Sequence, residues 1–292
     1  ANFPEVIIFD TQSNAGYSRA YNLSFEVAKG KYVILLNNDV SVEPDWLEPL
    51  VDAAEKDNSI GALQPKIVSM VDPSNFEYAG ASGGFMDKFG FPFLRGRVFD
   101  HMEMDEGQYN DIVEIFWASG AALFLRKEII NEIGGLDEEF VHHMEEIDLC
   151  YRINLADYKI KVIPKSKIYH YGGATITPDS YKKMYWNHRN SVLMLLQNLE
   201  AKNIPGIVFF RFLLDHLAMA QSLIKLNSRI FAIIAAYWWI LFHLPMVFKK
   251  RKQVKALRKI SDKELFKKLY PKSIALQYFL KGKKTYNQLI AN

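Results

Sequence analysis

Asn37-Asn38-Asp39 directly follows the apolar run Lys31–Leu36. A carboxylate at the carboxyl end of a strand stands where open α/β sheets place their ligand crevice. It could hold a divalent ion that bridges phosphate oxygens, since Mg²⁺ favours one or two carboxylates plus phosphate. An Asx turn after a strand is the plainer reading of the same residues. Glu145-Glu146-Ile147-Asp148 sets three carboxylates in four residues. At a helix N-terminus the dipole would temper their repulsion, and one of them near a cation could serve as a general base. An acidic first helical turn without chemistry looks the same. His170 precedes Gly172-Gly173; a neutral imidazole there could complete a metal shell or be structural, and His142 and His143 share that ambiguity.

The elements that must position these groups follow from periodicity. Glu5–Asp10 and Lys31–Leu36 read as buried strands and 158–163 as another, being short, apolar and rich in β-branched residues. Ser18–Lys29 has helical spacing and stops at Gly30, where a helix C′ glycine belongs. A helix over 44–57 starts with Pro44, and the long helix 180–199 is amphipathic. Alternating strand and helix predicts an α/β fold with a mostly parallel sheet. Six glycines mark 72–111, an aperiodic stretch that reads as a binding loop or lid. Val113–Leu125 reads as strand, with helices from Lys127 and over 145–156.

The chain has 292 residues, about two domains' worth, with 49% hydrophobic and 14% aromatic residues. That composition excludes a disordered chain. One cysteine, Cys150, excludes a disulfide framework and suggests a reducing compartment. The formal charge of +3 conceals a division: residues 249–292 hold fourteen Lys/Arg and two acids, a net +12, leaving −9 for residues 1–248. Such polarity points to a polyanionic partner for the tail.

The order of the motifs is more specific than any one of them. Asn14-x-Gly16, Asn22 and Lys29-Gly-Lys-Tyr32 leading into Asn37-Asn38-Asp39 resembles the donor-binding half of the family 2 inverting glycosyltransferases, in particular a rhamnosyltransferase-like bacterial branch. Trp117-Ala-Ser-Gly120 through Arg126, then Gly134-Gly-Leu-Asp-Glu138, resembles their acceptor side; Glu145-Glu146-x-Asp148-Leu-Cys-x-Arg152 and Tyr169-His170-x-Gly172-Gly173 complete the likeness, over roughly residues 5–200. The resemblance implies a GT-A (nucleotide-diphospho-sugar transferase) fold with helices on both sheet faces. It also implies a nucleotide-diphosphate sugar donor and Mg²⁺ or Mn²⁺. Residue by residue, it implies Glu146 as base with Glu145 as substitute, and Asp39 and His170 as metal ligands. Asn14, Gly16, Asn22, Asn37, Asn38, Asp39 and Arg189 would contact the donor, and Trp117, Gly120 and Asp148 the acceptor. For Arg189 a surface ion pair is an equal reading. Asn37 stands where relatives carry an acid, and the pair is Glu-Glu where they have Glu-Asp. The strands with which relatives begin do not appear, so the nucleotide-binding half is expected to be incomplete at its N-terminus, with a sheet edge left open.

These readings divide the chain into a glycosyltransferase domain over 1–200 and a helical membrane-associating region over 201–292. Ile230–Phe248 is nineteen residues without Asp, Glu, Lys or Arg, followed by Lys249-Lys-Arg-Lys252. Two interfacial helices, 204–226 and 228–248, with the basic tail on anionic head groups at the cytoplasmic face, reconcile it with a cytosolic donor. The acceptor is then a glycan or lipid-linked glycan of the cell envelope; a homodimer is left open. A catalytically inactive scaffold at the membrane is the alternative. Nucleic acid is not expected as a partner, because the tail follows an apolar run and carries no recognition motif.

Overall fold

The computed structural model describes residues 4–172, 180–225 and 227–291. In chain order the elements are α1 (Gly16–Val27), β1 (Tyr32–Leu36), β2 (Val40–Val42), α2 (Glu48–Lys56) and β3 (Ile60–Ser69). Four short strands follow: β4 (Gly84–Met86), β5 (Pro92–Leu94), β6 (Arg97–Val98) and β7 (His101–Met102). Then come β8 (Val113–Glu114), β9 (Ala122–Arg126), α3 (Lys127–Ile133), α4 (Glu145–Leu155), β10 (Lys159–His170) and α5 (Tyr181–Asn198). The chain ends in α6 (Ile204–Lys225), α7 (Arg229–Phe242), α8 (Leu244–Leu257), α9 (Asp262–Leu265), α10 (Ile274–Lys281) and α11 (Tyr286–Ile290).

The main sheet has the order β1-β9-β3-β10-β2, with β8 also on β10. Only β3 and β10 pair in parallel; every other pairing is antiparallel. The sheet is mixed, as the resemblance implies, with more antiparallel pairings than the strand–helix alternation predicts. β1, β3 and β10 run the same way, and β9 is wedged between β1 and β3 in the opposite direction. The reason is the excursion over 72–111, which delivers the chain back to the carboxyl end of the sheet. That stretch is not a bare loop: it forms a second sheet, β4-β5-β6-β7. Helices cover both faces. Leu50 and Ala54 of α2 pack with Leu63, Phe124 and Ile163 on one side, while Phe25, Ile129 and Ile153 of α1, α3 and α4 join the larger core on the other.

Glu5–Asp10 is not a buried strand. The segment is irregular, and Ile7 and Ile8 are 86% and 84% exposed. A strand is stable only when its backbone groups are paired, and the sheet ends at β1, whose outer edge is unpaired among the described residues. Val113–Leu125 is likewise two short strands with an irregular turn between them.

Beyond residue 200 the chain folds back onto the sheet. Val247, Val254, Leu265 and Leu269 enter the main core, and Tyr286 stacks among Phe85, Phe93 and Tyr109. The expected helix 228–248 breaks at His243, where Pro245 supplies no N–H, and α7 and α8 meet at a 72° bend. Part of the basic tail finds its anions on the acidic body: Lys250 pairs with Asp137, Lys259 with Glu132 and Lys268 with Glu114, at 2.6–2.9 Å.

Candidate active site

β2 lies antiparallel to the end of β10, so that Val40 faces His170 and the Tyr171 amide donates to the Asp39 carbonyl at 3.0 Å. Asp39 and His170 therefore stand side by side at adjoining strand ends. His170 Nε2 is 3.2 Å from Asp39 Oδ1, and Nδ1 is 2.9 Å from Glu77 Oε2. Both ring nitrogens and Asp39 Oδ1 are buried, yet among the described residues none is aligned for a hydrogen bond. Burial pushes the imidazole pKa down, but the Glu77 and Asp39 carboxylates outweigh it and hold the value above the ordinary one. Two ligands of a cation at right angles, with bonds of ~2.1 Å, stand about 3 Å apart. The Asp39–His170 pair fits a divalent ion on that ground. Among the described residues no cluster of three His, Cys, Asp or Glu side chains forms around such a site, which leaves further coordination to phosphate oxygens and water.

Glu145 and Glu146 begin α4 behind a strained turn, with φ of +66° at His143 and +74° at Met144. Non-glycine residues adopt that conformation at a cost of about 1 kcal/mol or more each, and persist in it only where the surroundings impose it. Asn190 on α5 imposes it here, donating to the carbonyls of His142 and His143 at 2.8 and 2.7 Å. Glu145 is buried, and its Oε2 has no partner among the described residues. Burial first, then the neighbouring Glu146, pushes its pKa well above the ordinary range. Glu146 is half-buried. Burial raises its pKa too, against backbone N–H groups, including that of Gly120, that favour the anion. Like charges this close cannot both ionise freely, and the upward push is the stronger on Glu145.

Backbone links join the two sides. The Asn37 amide donates to the Ala121 carbonyl at 3.1 Å. Tyr21 Oη donates to Leu36 O at 3.1 Å, and Tyr17 Oη to Gly120 O at 3.0 Å. A Cβ at Gly120 would meet Tyr17 Oη at 2.6 Å and Glu146 Cβ at 3.7 Å. The 120–121 turn thus touches the end of β1 on one side and Glu146 on the other, putting the Asp39–His170 pair and Glu146 at one end of the sheet.

Several residues expected to contact substrate do other work. Asn22 Oδ1 accepts from Leu136 N at 2.8 Å, and its amide donates to Leu136 O at 2.9 Å. Asn22 pins the 134–138 loop, and it is not a donor contact. Trp117 is 5% exposed and donates to Phe85 O, so it is core, with its ring against Gly84. Asp148 is buried in a pair with Arg152 at 2.9 Å and accepts from Asn198, which removes it from the acceptor side. Arg189, also buried, donates to Glu139 O and lies 4.5 Å over the Trp239 ring. Its guanidinium tethers a loop, and neither the clamp nor the surface ion pair describes it. Asn14 accepts from Gly16 N at 3.0 Å to open α1, with Gly16 at φ +72°. Asn38 is exposed and Asn37 half-buried beside Asp39. Gly173 lies outside the described residues. Glu77, Asn190 and Tyr17 escaped the reading of the sequence, since nothing in their spacing distinguishes them from ordinary polar residues.

A mixed sheet with helices on both faces is the GT-A architecture. It aligns with the solved structure of GalNAc-T7 with UDP, GalNAc and Mn²⁺ at a TM-score of 0.50 and 17% identity, over 66% of this chain and 36% of that one. Residues 1–134 match the family described as Glycosyl transferase family 2, so this stretch carries a domain of that kind. It is 26% identical over 211 residues to an N-acetylglucosaminyl-diphospho-decaprenol L-rhamnosyltransferase of Mycobacterium tuberculosis, covering 66% of this chain and 67% of the relative. It is also 26% identical over 180 residues to the O-antigen biosynthesis protein RfbC of Myxococcus xanthus, 58% of this chain and 13% of that protein.

Proposed function

We propose that the chain transfers a hexosyl or deoxyhexosyl group, with inversion, from a nucleotide-diphosphate donor to a hydroxyl of a glycan or lipid-linked acceptor in cell-envelope polysaccharide synthesis. The observation that carries this reading is the Asp39–His170 pair at adjoining strand ends, which the 120–121 turn links to Glu146. Glu146 takes the proton of the acceptor hydroxyl, whose oxygen forms the new bond to the anomeric carbon as the bond to the diphosphate oxygen breaks on the opposite face. Asp39 and His170 would hold Mg²⁺ or Mn²⁺, which when bound offsets charge on the departing diphosphate. Asn37 and Asn38, neutral oxygen donors beside Asp39, would meet the donor. Glu146→Gln, assayed with nucleotide sugars and prenyl-diphosphate-linked acceptors, should retain donor binding and lose transfer; full activity would reassign the base. Metal-dependent hydrolysis of a nucleotide sugar by the unaltered chain separates this reading from the inactive scaffold.

The same proposal places the chain on the cytoplasmic face of the membrane, peripheral or monotopic. α6 is long and apolar enough to cross a bilayer, but its charged residues Arg211 and Asp215 pair at 3.2 Å inside the protein, where Asp215 also meets His188 and Tyr237. Phe209, Leu217, Ile224, Phe231 and Phe242 are 61–84% exposed on α6 and α7, and exposed Lys249 and Lys252 follow. An apolar face beside cations suits insertion among anionic head groups.

A further inference from the structure

Glu77 lies in the loop between β3 and β4, apart from every motif the family resemblance uses. It is 4% exposed. Its amide donates to Ile67 O at 3.2 Å, and its Oε2 accepts from the Ala79 amide, so the carboxylate is fixed to the end of β3. The same Oε2 stands 2.9 Å from His170 Nδ1. The other oxygen lies against Gly172: a Cβ there would be 1.9 Å from Glu77 Oε1. The space that the carboxylate occupies therefore exists because residue 172 has no side chain.

We propose that Glu77 is a positioning residue of the cation site, holding the His170 ring so that its Nε2 lone pair points beside Asp39. The inference rests on the reading that Asp39 and His170 hold the divalent ion. A carboxylate at Nδ1 keeps the proton on that nitrogen, leaves Nε2 free to ligate, and makes the ring a stronger donor. Gly172 acts through Glu77: any side chain there displaces the carboxylate while both ligands stay in place.

The test is a titration of the full chain with Mn²⁺ alone, read by the paramagnetic resonance signal of the free ion, with the nitrogen coupling of bound Mn²⁺ recorded by pulsed resonance. Loss of a metal ligand's carboxylate partner costs about 10–100-fold in affinity. Glu77→Ala and Gly172→Ala should both weaken Mn²⁺ to that extent and diminish the nitrogen coupling. Glu77→Gln, which keeps a side chain of the same length and an oxygen against the ring, should recover most of the loss. Should Glu77→Ala fail to fold, Gly172→Ala carries the test with every charged group present. Wild-type affinity in the Glu77→Ala and Gly172→Ala variants, alongside weakened binding in His170→Ala, overturns the role of Glu77 and leaves the ligands standing. Wild-type affinity in both His170→Ala and Asp39→Asn overturns the ligand pair itself, and the role of Glu77 with it.

Discussion

Asn190 donates its side-chain amide to the carbonyl oxygen of His143 at 2.7 Å, and the residue so held has a φ of +66°. A side chain on α5 thereby sets the turn from which Glu145 and Glu146 project. Asn190→Ala removes this bond and its companion to His142. Net hydrogen bonds contribute about 1 kcal/mol each, so stability should fall by ~1–3 kcal/mol. Displacement of a reacting group by 1 Å costs on the order of 100-fold, so kcat should fall by roughly ten- to 100-fold with the donor KM little changed. Steady-state kinetics and chemical denaturation of the same variant check both; a stability loss with kcat intact would confine Asn190 to a structural role.

The carboxylate pair gives a signed pH dependence. The proposed transfer needs Glu146 ionised, and burial holds its pKa above the ordinary range. The acidic limb of kcat/KM should therefore lie above about 4.3, the unperturbed value, with activity lost as pH falls through it. Glu146→Gln should lower kcat by about 10²–10⁴.

Stability follows the same pair in the other direction. The folded protein binds the Glu145 proton more tightly than the unfolded chain, so this contribution is full below the ordinary glutamate value and is lost as pH rises through the folded one. Glu145→Gln, a neutral isostere, should therefore melt above wild type at pH 8 and close to it near pH 4. Melting curves at the two pH values decide the matter, and an equal offset at both would contradict a buried, protonated Glu145.

Asn22 and Gly135 form a second constrained contact, away from the chemistry. A Cβ at Gly135 would stand 2.1 Å from Asn22 Oδ1. Gly135→Ala and Asn22→Ala should each cost about 1–3 kcal/mol, the scale of a buried polar group left unmade. Because both act through the 134–138 loop, the double variant should cost less than the sum, as contacting residues do. Denaturation midpoints of the cycle provide the measurement.

The apolar face of α6 and α7 predicts attachment to bilayers. Burying a phenylalanine contributes about 1.5–3 kcal/mol, so Phe231→Asp with Phe242→Asp should reduce cosedimentation with anionic vesicles at least tenfold. Catalysis on a soluble acceptor analogue should survive. High salt should weaken wild-type binding in part, through Lys249 and Lys252. Unchanged sedimentation of the double variant would move the attachment elsewhere.

Much of this protein was legible in its residues, because local order and motif order are properties of the chain. The apolar periodicities placed α1, β1, α5 and α6 close to their observed limits, whereas α2 begins at Glu48 and not at Pro44; the succession from Asn37-Asn38-Asp39 to His170 indicated the family and the fold. Whether a polar side chain meets a ligand or a backbone carbonyl is decided by packing, which spacing does not encode. Asn22, Asp148 and Arg189 have the residue types of a binding site, yet each is consumed by a loop or a buried partner. Glu77 carries no sequence signal, because its role depends on β3 and β10 lying side by side in parallel and on an absent side chain at Gly172, ninety-five residues on. The segment 5–10 has the composition of a strand but not the neighbour, and pairing, unlike propensity, needs a second chain segment in the right place.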